Sequence, residues 1–413
     1  MTYPSGGSSE KWEPIFDAVK DGDVHSALVQ SLEEISSALV PPAFADEPSL
    51  ASGWAGISLL HFYRTLAFSQ ASHRVTDPLA FIELARKSLE STRVPPPGLF
   101  WGFTGVAWAL NHIAGTTNNN DVTSEVDDVL RSWLNRGAPR ALFDLTYGLT
   151  GIGVYALDRG QHTGQFEIVE LLVEQLRLKA EDTPLGFRWR SPFPFPGYEH
   201  EGYYHIGLAH GSSGVIAFLA MCHQLGISRP AIDSLLEGAI DYVIATMGSR
   251  TETRCSWCWG LPGMGYVLLL AGRYTSNPKC ERLGEEMGVW VAQRGIASIQ
   301  FKDVCMCHGT VGLGHIMNRY YQLTKDPLFM EAARAWFIRT LDYRVPGSGI
   351  AGYSCLAEDD PTRDLLPKAG VLFGVAGVAL AILSALSPVR PHWDRFMLPS
   401  LSDTPQPRPS RSQ

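Results

Sequence analysis

Apolar residues recur along the chain in two alternating patterns. One pattern is nearly continuous, as in GVAWALNHI, GVIAFLAM and GVALAILSAL; the other places apolar residues on one face only, as in VTSEVDDVLRSWL and FEIVELLVEQLRL. The first pattern is typical of a helix that is buried on all sides, and the second of a helix with one solvated face. The chain is therefore predicted to be all-α, built from pairs of one buried and one amphipathic helix.

A glycine pair, G-x-x-G, stands at the start of each buried segment. Seven copies occur, with first glycines 46 to 65 residues apart. The copies are Gly53-Gly56, Gly102-Gly105, Gly148-Gly151, Gly211-Gly214, Gly260-Gly263, Gly309-Gly312 and Gly374-Gly377. A period of this length indicates a repeat architecture, in which each unit buries its apolar face against its neighbours. We expect glycine to allow a positive φ in each turn and a close approach of the next helix.

Seven helix pairs can close into a ring. Neither terminal unit has an obvious polar cap, and the last one, FGVAGVALAILSAL, is as apolar as the central units. The predicted fold is therefore an α/α toroid, or double α-barrel, of seven helix-pair repeats, with the buried helices inside and the amphipathic helices outside. We assign residues 1–390 to this single domain. An open solenoid is the alternative.

Two repeat steps, of 63 and 65 residues, are longer than the others. They predict loop insertions near residues 187–204, which are rich in aromatics and proline, and near residues 344–368, which contain several glycines and acidic residues. Long loops on a rigid scaffold often carry binding, although these could simply cover the barrel mouth. Residues 391–413 are predicted to form a Pro/Ser-rich tail whose final part does not pack.

Composition excludes some classes of function. The 413 residues include 42 acidic and 34 basic side chains, a net charge of −8, which argues against a general nucleic-acid binder. The longest apolar run, Gly374–Leu386, is too short to span a bilayer, and the start MTYPSGGSSEKWEP does not resemble a signal peptide. We expect a cytoplasmic protein without a transmembrane segment. The seven cysteines, mostly in close pairs, indicate metal or thiol chemistry rather than disulfides.

Units three to six carry reactive residues beside their first glycine. Asp144 lies four residues before that glycine, His210 and His308 lie directly before it, and Cys258 and Cys307 lie two residues before it. Equivalent positions of adjacent repeats lie side by side. In a closed ring these residues are therefore predicted to meet at one end of the inner barrel.

Cys258, Cys307 and His308 combine thiolate and imidazole donors, a set that favours Zn²⁺. Three protein ligands leave one position open for water or substrate, as in a catalytic zinc site. Cys255 and Cys305 supply a rival hypothesis, since with Cys258 and Cys307 they could form a structural site of four thiolates. We favour the open site because Cys258 and Cys307 occupy matching repeat positions.

Three further residues are candidates for catalysis. His210 is notable because it is in register with the metal loops, and Asp144 could orient it or could cap the following turn. Arg254, four residues before Cys258, could donate to a developing enolate or a substrate carbonyl, or could form a surface ion pair.

Three segments, GLAHGSSG, RCSWCWGLPG and CMCHGTVG, resemble the signature segments of the lanthionine synthetase C-like family in order and spacing, and the resemblance extends over residues 40–388. It implies an α/α toroid with seven inner and seven outer helices. It also implies that Cys258, Cys307 and His308 hold zinc and that His210, Arg254 and Asp144 act in catalysis. The residue after the first zinc cysteine is often tyrosine in these cyclases but is Trp259 here, so a proton relay through that side chain is in doubt.

Within the family, the chain resembles the stand-alone class I lanthipeptide (lantibiotic) cyclases, because 413 residues leave no room for a dehydratase domain. The resemblance implies that a cysteine thiol of a dehydrated precursor peptide takes the open zinc position, loses its proton and attacks dehydroalanine or dehydrobutyrine. The product is a thioether ring, (methyl)lanthionine. Arg254 would stabilise the enolate, and His210, tuned by Asp144, would protonate Cα.

The resemblance also implies partners, namely the precursor peptide and a complex with a dehydratase and an exporter at the membrane. Eukaryotic relatives supply an alternative function, since they share the zinc motifs and bind glutathione or form glutathione adducts. A catalytically silent scaffold stapled by zinc is the third hypothesis.

Overall fold

The computed structural model describes residues 11–41, 47–68, 76–92, 95–114, 123–191, 203–227, 230–247, 254–356 and 364–400. These residues form fourteen α-helices, so the all-α prediction is confirmed. The outer helices are α1 (Gly22–Ala38), α3 (Pro78–Ser91), α5 (Ser124–Asn135), α7 (Glu167–Lys179), α9 (Pro230–Met247), α11 (Pro278–Ser298) and α13 (Pro327–Leu341). The inner helices are α2 (Trp54–Ala67), α4 (Phe103–Ala114), α6 (Leu149–Thr163), α8 (Ser212–Gln224), α10 (Leu261–Thr275), α12 (Thr310–Thr324) and α14 (Val375–Leu386).

The inner helices close into a ring. Each contacts the next inner helix along the chain, and α14 returns to contact α2. In the outer layer, α1 packs against α14 and α13, so the first helix of the chain covers the last inner one. The predicted α/α toroid is therefore correct, and the open solenoid is excluded.

The two layers differ in burial, as their sequences predict. In α14 every residue from Val375 to Ala385 is buried, whereas α5 buries only Leu130 and Leu134. Inner helices are covered on one side by the outer layer and on the other by the contents of the ring, so no face needs to be polar. Even so, α14 has only 12 residues, and none of the described helices has the length and hydropathy needed to cross a membrane.

Both predicted insertions contain short strands rather than loop alone. The strands β1 (Ala180–Thr183) and β2 (Gly186–Trp189) form an antiparallel hairpin, and β2 packs against α9. The side chain of Trp189 is fully buried there. In the second insertion β3 (Cys355–Leu356) pairs with β4 (Leu365–Leu366). The remaining parts of the two insertions, residues 192–202 and 357–363, lie outside the described residues.

The predicted tail does not begin at residue 391. A short 3₁₀ helix, His392–Phe396, lies inside the ring of inner helices. Trp393 stacks on His315 of α12 with ring centroids 5.0 Å apart, and Phe396 packs edge-on against Trp108 of α4 at 5.8 Å. Protein interiors are close-packed, so the apolar space inside the ring must be filled by side chains. This segment provides such side chains. Residues 401–413 lie outside the described residues.

Asp394 anchors this segment through a buried polar cluster. Its carboxylate accepts hydrogen bonds from the Arg319 guanidinium, with Arg319 Nε at 2.6 Å, and its Oδ2 lies 2.7 Å from His315 Nε2. All three side chains are buried. Burial alone raises the pKa of Asp394, but Arg319 and His315 outweigh it and hold that pKa at about 2, below the ordinary 3.8. The carboxylate is therefore charged and paired inside the ring.

Replacing Asp394 by asparagine should destabilise the fold by about 3–5 kcal/mol, because the buried Arg319 charge loses its counterion. Urea unfolding measures the effect. The control is Asp342→Asn, which removes an exposed partner of Arg339 and should cost at most about 1 kcal/mol. Equal effects of the two substitutions would show that Asp394 is not an anchor.

The same carboxylate makes stability depend on acid. Its pKa is lowered on folding from 3.8 to about 2, so its contribution is complete above about pH 4 and is lost as the pH falls towards 2. The difference in unfolding free energy between the wild type and Asp394→Asn should therefore shrink over that interval. A constant difference between pH 5 and pH 2.5 would contradict this account.

Candidate active site at the repeat loops

The seven loops that precede the inner helices share one backbone geometry. In each, the N–H of the residue after the first glycine donates to the carbonyl seven residues earlier, at 2.9–3.2 Å. The seven donor–acceptor pairs are Trp54–Glu47, Phe103–Pro96, Leu149–Leu142, Ser212–His205, Leu261–Arg254, Thr310–Asp303 and Val375–Lys368. The first N–H groups of a helix have no partner within the helix, and here the loop supplies one.

Sterics, rather than a positive φ, explain the repeat glycines. Gly260 and Gly309 have extended backbones, with φ of −94° and −112°, so the expectation of positive φ is wrong. A Cβ on Gly309 would lie 2.2 Å from the backbone nitrogen of Cys305, and one on Gly312 would lie 2.0 Å from the carbonyl oxygen of Met306. Both glycines therefore let the loop fold back on the start of its helix.

Backbone hydrogen bonds tie each loop to the next. Ala209 N–H donates to the Cys258 carbonyl at 3.1 Å, Trp257 N–H to the Cys307 carbonyl at 3.0 Å, and Cys307 N–H to the Leu372 carbonyl at 3.1 Å. The loops consequently converge at one end of the inner ring, as the repeat register predicts. The Trp257 indole donates to the Met397 carbonyl at 2.9 Å, so the segment that carries Asp394 also supports the loop of Cys258 from inside the ring.

A small cavity opens where the loops converge. Cys258, Cys307 and His210 all contribute to its lining. The full lining is Trp101, Thr146, Tyr147, Ala209, His210, Trp257, Cys258, Cys307, Leu372 and Phe373. Two thiols and an imidazole from three different repeats therefore share one cavity, although more than 90 residues separate His210 from Cys307 along the chain.

His210 is held by Asp144, one of the two roles expected for that residue. Its Nδ1 lies 2.8 Å from Asp144 Oδ2 and 3.0 Å from Thr146 Oγ1. The other carboxylate oxygen of Asp144 accepts the Tyr147 N–H at 2.9 Å, so Asp144 also fixes the turn. His210, Asp144 and Thr146 are all buried. This arrangement assigns Nδ1 to the Asp144 contact and makes Nε2 the nitrogen suited to proton transfer.

Arg254 and Trp259 flank the cavity rather than line it. The Arg254 side chain is largely exposed, and partial desolvation lowers its pKa while the nearby Cys258 opposes that shift. The Trp259 ring tilts over His210 with centroids 5.3 Å apart. In this chain the position that often holds tyrosine therefore packs against the imidazole.

His308 makes a contact that the sequence analysis missed. Its Nε2 lies 3.8 Å from the buried carboxylate of Asp303, and its backbone N–H points to the Cys305 sulfur at 3.5 Å. Within the described ranges, Asp303, Cys305 and His308 form the one group of three or more His, Cys, Asp or Glu donors that lie within 4.8 Å of one another. Cys258 and Cys307 are not members of it, and no group of four sulfurs is assembled there.

The donor chemistry fits zinc. Cys258 and Cys307 lie on directly hydrogen-bonded loops and line one cavity, and His308 follows Cys307. Burial raises the pKa of Cys255 to about 11 and that of Cys305 well above the ordinary range. Asp303 Oδ1 is buried without a hydrogen-bond partner among the described residues, so this carboxylate has an unused acceptor beside His308.

The fold and this site define a class of protein: a double α-barrel with a thiol and imidazole site at the repeat loops. Residues 45–398 match the family described as lanthionine synthetase C-like protein, and the chain belongs to that family.

Two relatives show how far the likeness extends. "Glutathione S-transferase LANCL1" from Danio rerio is 23% identical over 375 residues, which cover 84% of each chain. The solved structure of "Nisin cyclase" superposes with a TM-score of 0.67 at 18% identity, covering 92% of this chain and 98% of that one. At this identity the structural likeness establishes the toroid fold.

Introducing a Cβ at Gly309 should disrupt the loop that carries Cys307 and His308. We expect Gly309→Ala to lower the unfolding free energy by about 1–3 kcal/mol, since the clash is with backbone that cannot turn away. Chemical denaturation provides the measurement. Gly98→Ala is the control, because its Cβ would meet nothing closer than 3.4 Å; if both variants matched the wild type, the steric explanation would fail.

Proposed function

We propose that the chain is a zinc-dependent cyclase that adds cysteine thiols of a dehydrated precursor peptide to dehydroalanine or dehydrobutyrine, forming (methyl)lanthionine thioether rings. One observation carries the proposal: His210, which is held by Asp144, lines the same cavity as the thiols of Cys258 and Cys307. Thiol addition to a double bond needs a site that activates sulfur and a group that protonates the neighbouring carbon. This cavity offers residues for both.

Cys258, Cys307 and His308 would hold the zinc. When bound, zinc would lower the pKa of a substrate thiol, so that the thiolate forms near neutral pH. Asp303 would then keep its place beside His308 Nε2, as carboxylates commonly orient histidines that bind metals. In this interpretation Asp303 and Cys305 help to position His308 for the zinc site, and the three residues do not form a second metal site.

His210 supplies the proton in this proposal. The new C–S bond forms at Cβ of the dehydro residue, the electron pair of its double bond moves towards the carbonyl, and Cα receives a proton from His210 Nε2. Asp144 stabilises the protonated imidazole and fixes its orientation through Nδ1. Arg254 remains charged at neutral pH and would stabilise the enolate oxygen from the edge of the cavity.

Partners and location belong to the proposal as well. The substrate peptide must be dehydrated before it arrives, so a dehydratase has to act earlier. A cytoplasmic complex with that dehydratase and an exporter, peripheral to the membrane, would pass the peptide between the steps.

Glutathione addition is the second candidate function, favoured by the name of the Danio rerio relative. It needs the same thiol activation but takes the thiol from a free tripeptide. The two functions differ in whether sulfur and double bond belong to one molecule, which mass spectrometry distinguishes. Cyclisation leaves the peptide mass unchanged and removes a titratable thiol, whereas glutathione addition raises the mass by one glutathione.

His210→Asn should slow ring formation by about 10²–10⁴-fold, because the proton donor to Cα is lost. The substrate is a synthetic peptide with one dehydroalanine and one cysteine, and the assay counts thiols that remain open to alkylation. His162→Asn is the control: this exposed histidine of α6 contacts only its own helix backbone in the described hydrogen bonds. Ring formation by His210→Asn at the wild-type rate would contradict the proposal, and an adduct only with added glutathione would favour the second function.

Zinc content should depend on Cys258 and Cys307 but not on Cys305. We expect Cys258→Ala and Cys307→Ala to bind far less than one zinc per chain, because each loses one of three ligands, and Cys305→Ala to retain it. Elemental analysis and the sulfur-to-metal absorption of the cobalt form give the measurement, with Cys280→Ala in the outer layer as the control. Loss of zinc from Cys305→Ala alone would assign the metal to Asp303, Cys305 and His308.

A further inference from the structure

The residue directly before the first repeat glycine is a ring-bearing residue in six of the seven units. These positions hold Ser52, Trp101, Tyr147, His210, Trp259, His308 and Phe373. Because all seven loops share one backbone geometry, the seven side chains stand at equivalent places around the end of the inner ring. We call the six rings the aromatic collar.

Neighbouring rings of the aromatic collar contact one another. Phe373 and Trp101 stack with centroids 6.0 Å apart, Trp101 and Tyr147 at 6.2 Å, and Tyr147 and His210 at 5.8 Å, with interplanar angles of 15–18°. His308 extends the row from the other side of Phe373, at 5.9 Å. Ser52 occupies the position between Phe373 and Trp101. Because its side chain is small, the two rings can contact each other.

Four of the six collar rings, those of Trp101, Tyr147, His210 and Phe373, line the reaction cavity. Trp101, Tyr147 and Phe373 line it together with the thiols of Cys258 and Cys307. In the order of the ring, the loop of Trp101 is the one opposite the two metal loops. Tyr147 is 46% exposed, so part of this surface is accessible. The cavity thus has the Cys258 and Cys307 thiols on one side and Trp101 on the other. His210 and Tyr147 lie between them in one direction around the ring, and Phe373 lies between them in the other.

We propose that Trp101, with Tyr147 and Phe373 on its two sides, binds the electrophile, the planar conjugated acyl group of the dehydro residue, while the thiol is held at the loops of Cys258 and Cys307. The proposal rests on the proposed function and adds to it the subsite for the second reactant. A conjugated double bond and its amide are flat and carry no charge, so they gain from stacking on aromatic faces.

Binding can be measured without turnover. The probe is a synthetic peptide with one dehydroalanine and one S-methylcysteine, which cannot cyclise, and its control carries alanine in place of dehydroalanine. Wild-type protein should bind the dehydroalanine peptide more tightly than the alanine peptide in titration calorimetry. Trp101→Leu and Phe373→Leu should each reduce that preference by roughly 3- to 10-fold, the size expected for one lost aromatic contact.

Two further variants separate stacking from simple packing. Trp101→Phe keeps a ring and should retain most of the preference, whereas Trp101→Leu should not. Trp290→Leu removes a tryptophan from the outer helix α11 and should leave binding unchanged. Circular dichroism of each variant checks that the toroid is folded.

The outcomes distinguish this inference from the proposed function. If wild-type protein does not prefer the dehydroalanine peptide at all, the proposed cyclase function fails together with the subsite. If wild type shows the preference and folded Trp101→Leu and Phe373→Leu keep it in full, the cyclase proposal stands and the collar subsite is wrong. Loss of the preference in both leucine variants, with retention in Trp101→Phe, supports the subsite.

Discussion

One backbone interaction underlies both the fold and the site: the hydrogen bond from the start of each inner helix to the carbonyl seven residues earlier. This hydrogen bond pairs an N–H group that has no acceptor within the helix, and it requires the loop to fold back tightly against the start of the helix. Only glycine permits that return, since a Cβ on Gly309 would overlap the backbone of Cys305. Because the interaction occurs seven times around a closed ring, the residues just before each glycine are brought to a common centre.

The site therefore requires few structural elements beyond the repeat loops themselves. His210, Cys258 and Cys307 differ in chemistry but occupy nearly the same place in three copies of one loop, so ring closure alone is enough to bring them together. What individual residues add is orientation: Asp144 and Thr146 fix the ring of His210, and Asp303 lies beside His308. Side chains in loops that are hydrogen-bonded to the start of a helix in this way are positioned more precisely than side chains on unrestrained loops.

The toroid could be predicted because glycine spacing and the contrast between apolar and amphipathic segments are local properties of the sequence. Repeat register placed Asp144 near His210, but it left open whether Asp144 orients the imidazole or caps the turn, and the structure shows both contacts. The burial of Trp393 and Asp394 could not be predicted, because PVRPHWDRF has no helical periodicity and its partners, His315 and Arg319, lie on a distant inner helix. The direction of the His308 side chain depends on a rotation about one bond, which no sequence pattern encodes. The collar was overlooked because its members differ in residue type and share only a position.

The Asp394 segment also sets an order of assembly. It fills the inside of a ring whose seventh inner helix, α14, precedes it directly in the chain, and that helix must pair with both α1 and α2. A ribosome that has synthesised the loops of Cys258 and Cys307 has therefore not yet synthesised the segments that close and fill the barrel. Long-range contacts of this kind form slowly in folding. Repeats that are not yet enclosed by α14 and the Asp394 segment therefore expose apolar surface until the ring closes. The loops that carry Cys258 and Cys307 therefore receive contacts, from Met397 and Leu372, that only the C-terminal part of the chain can supply.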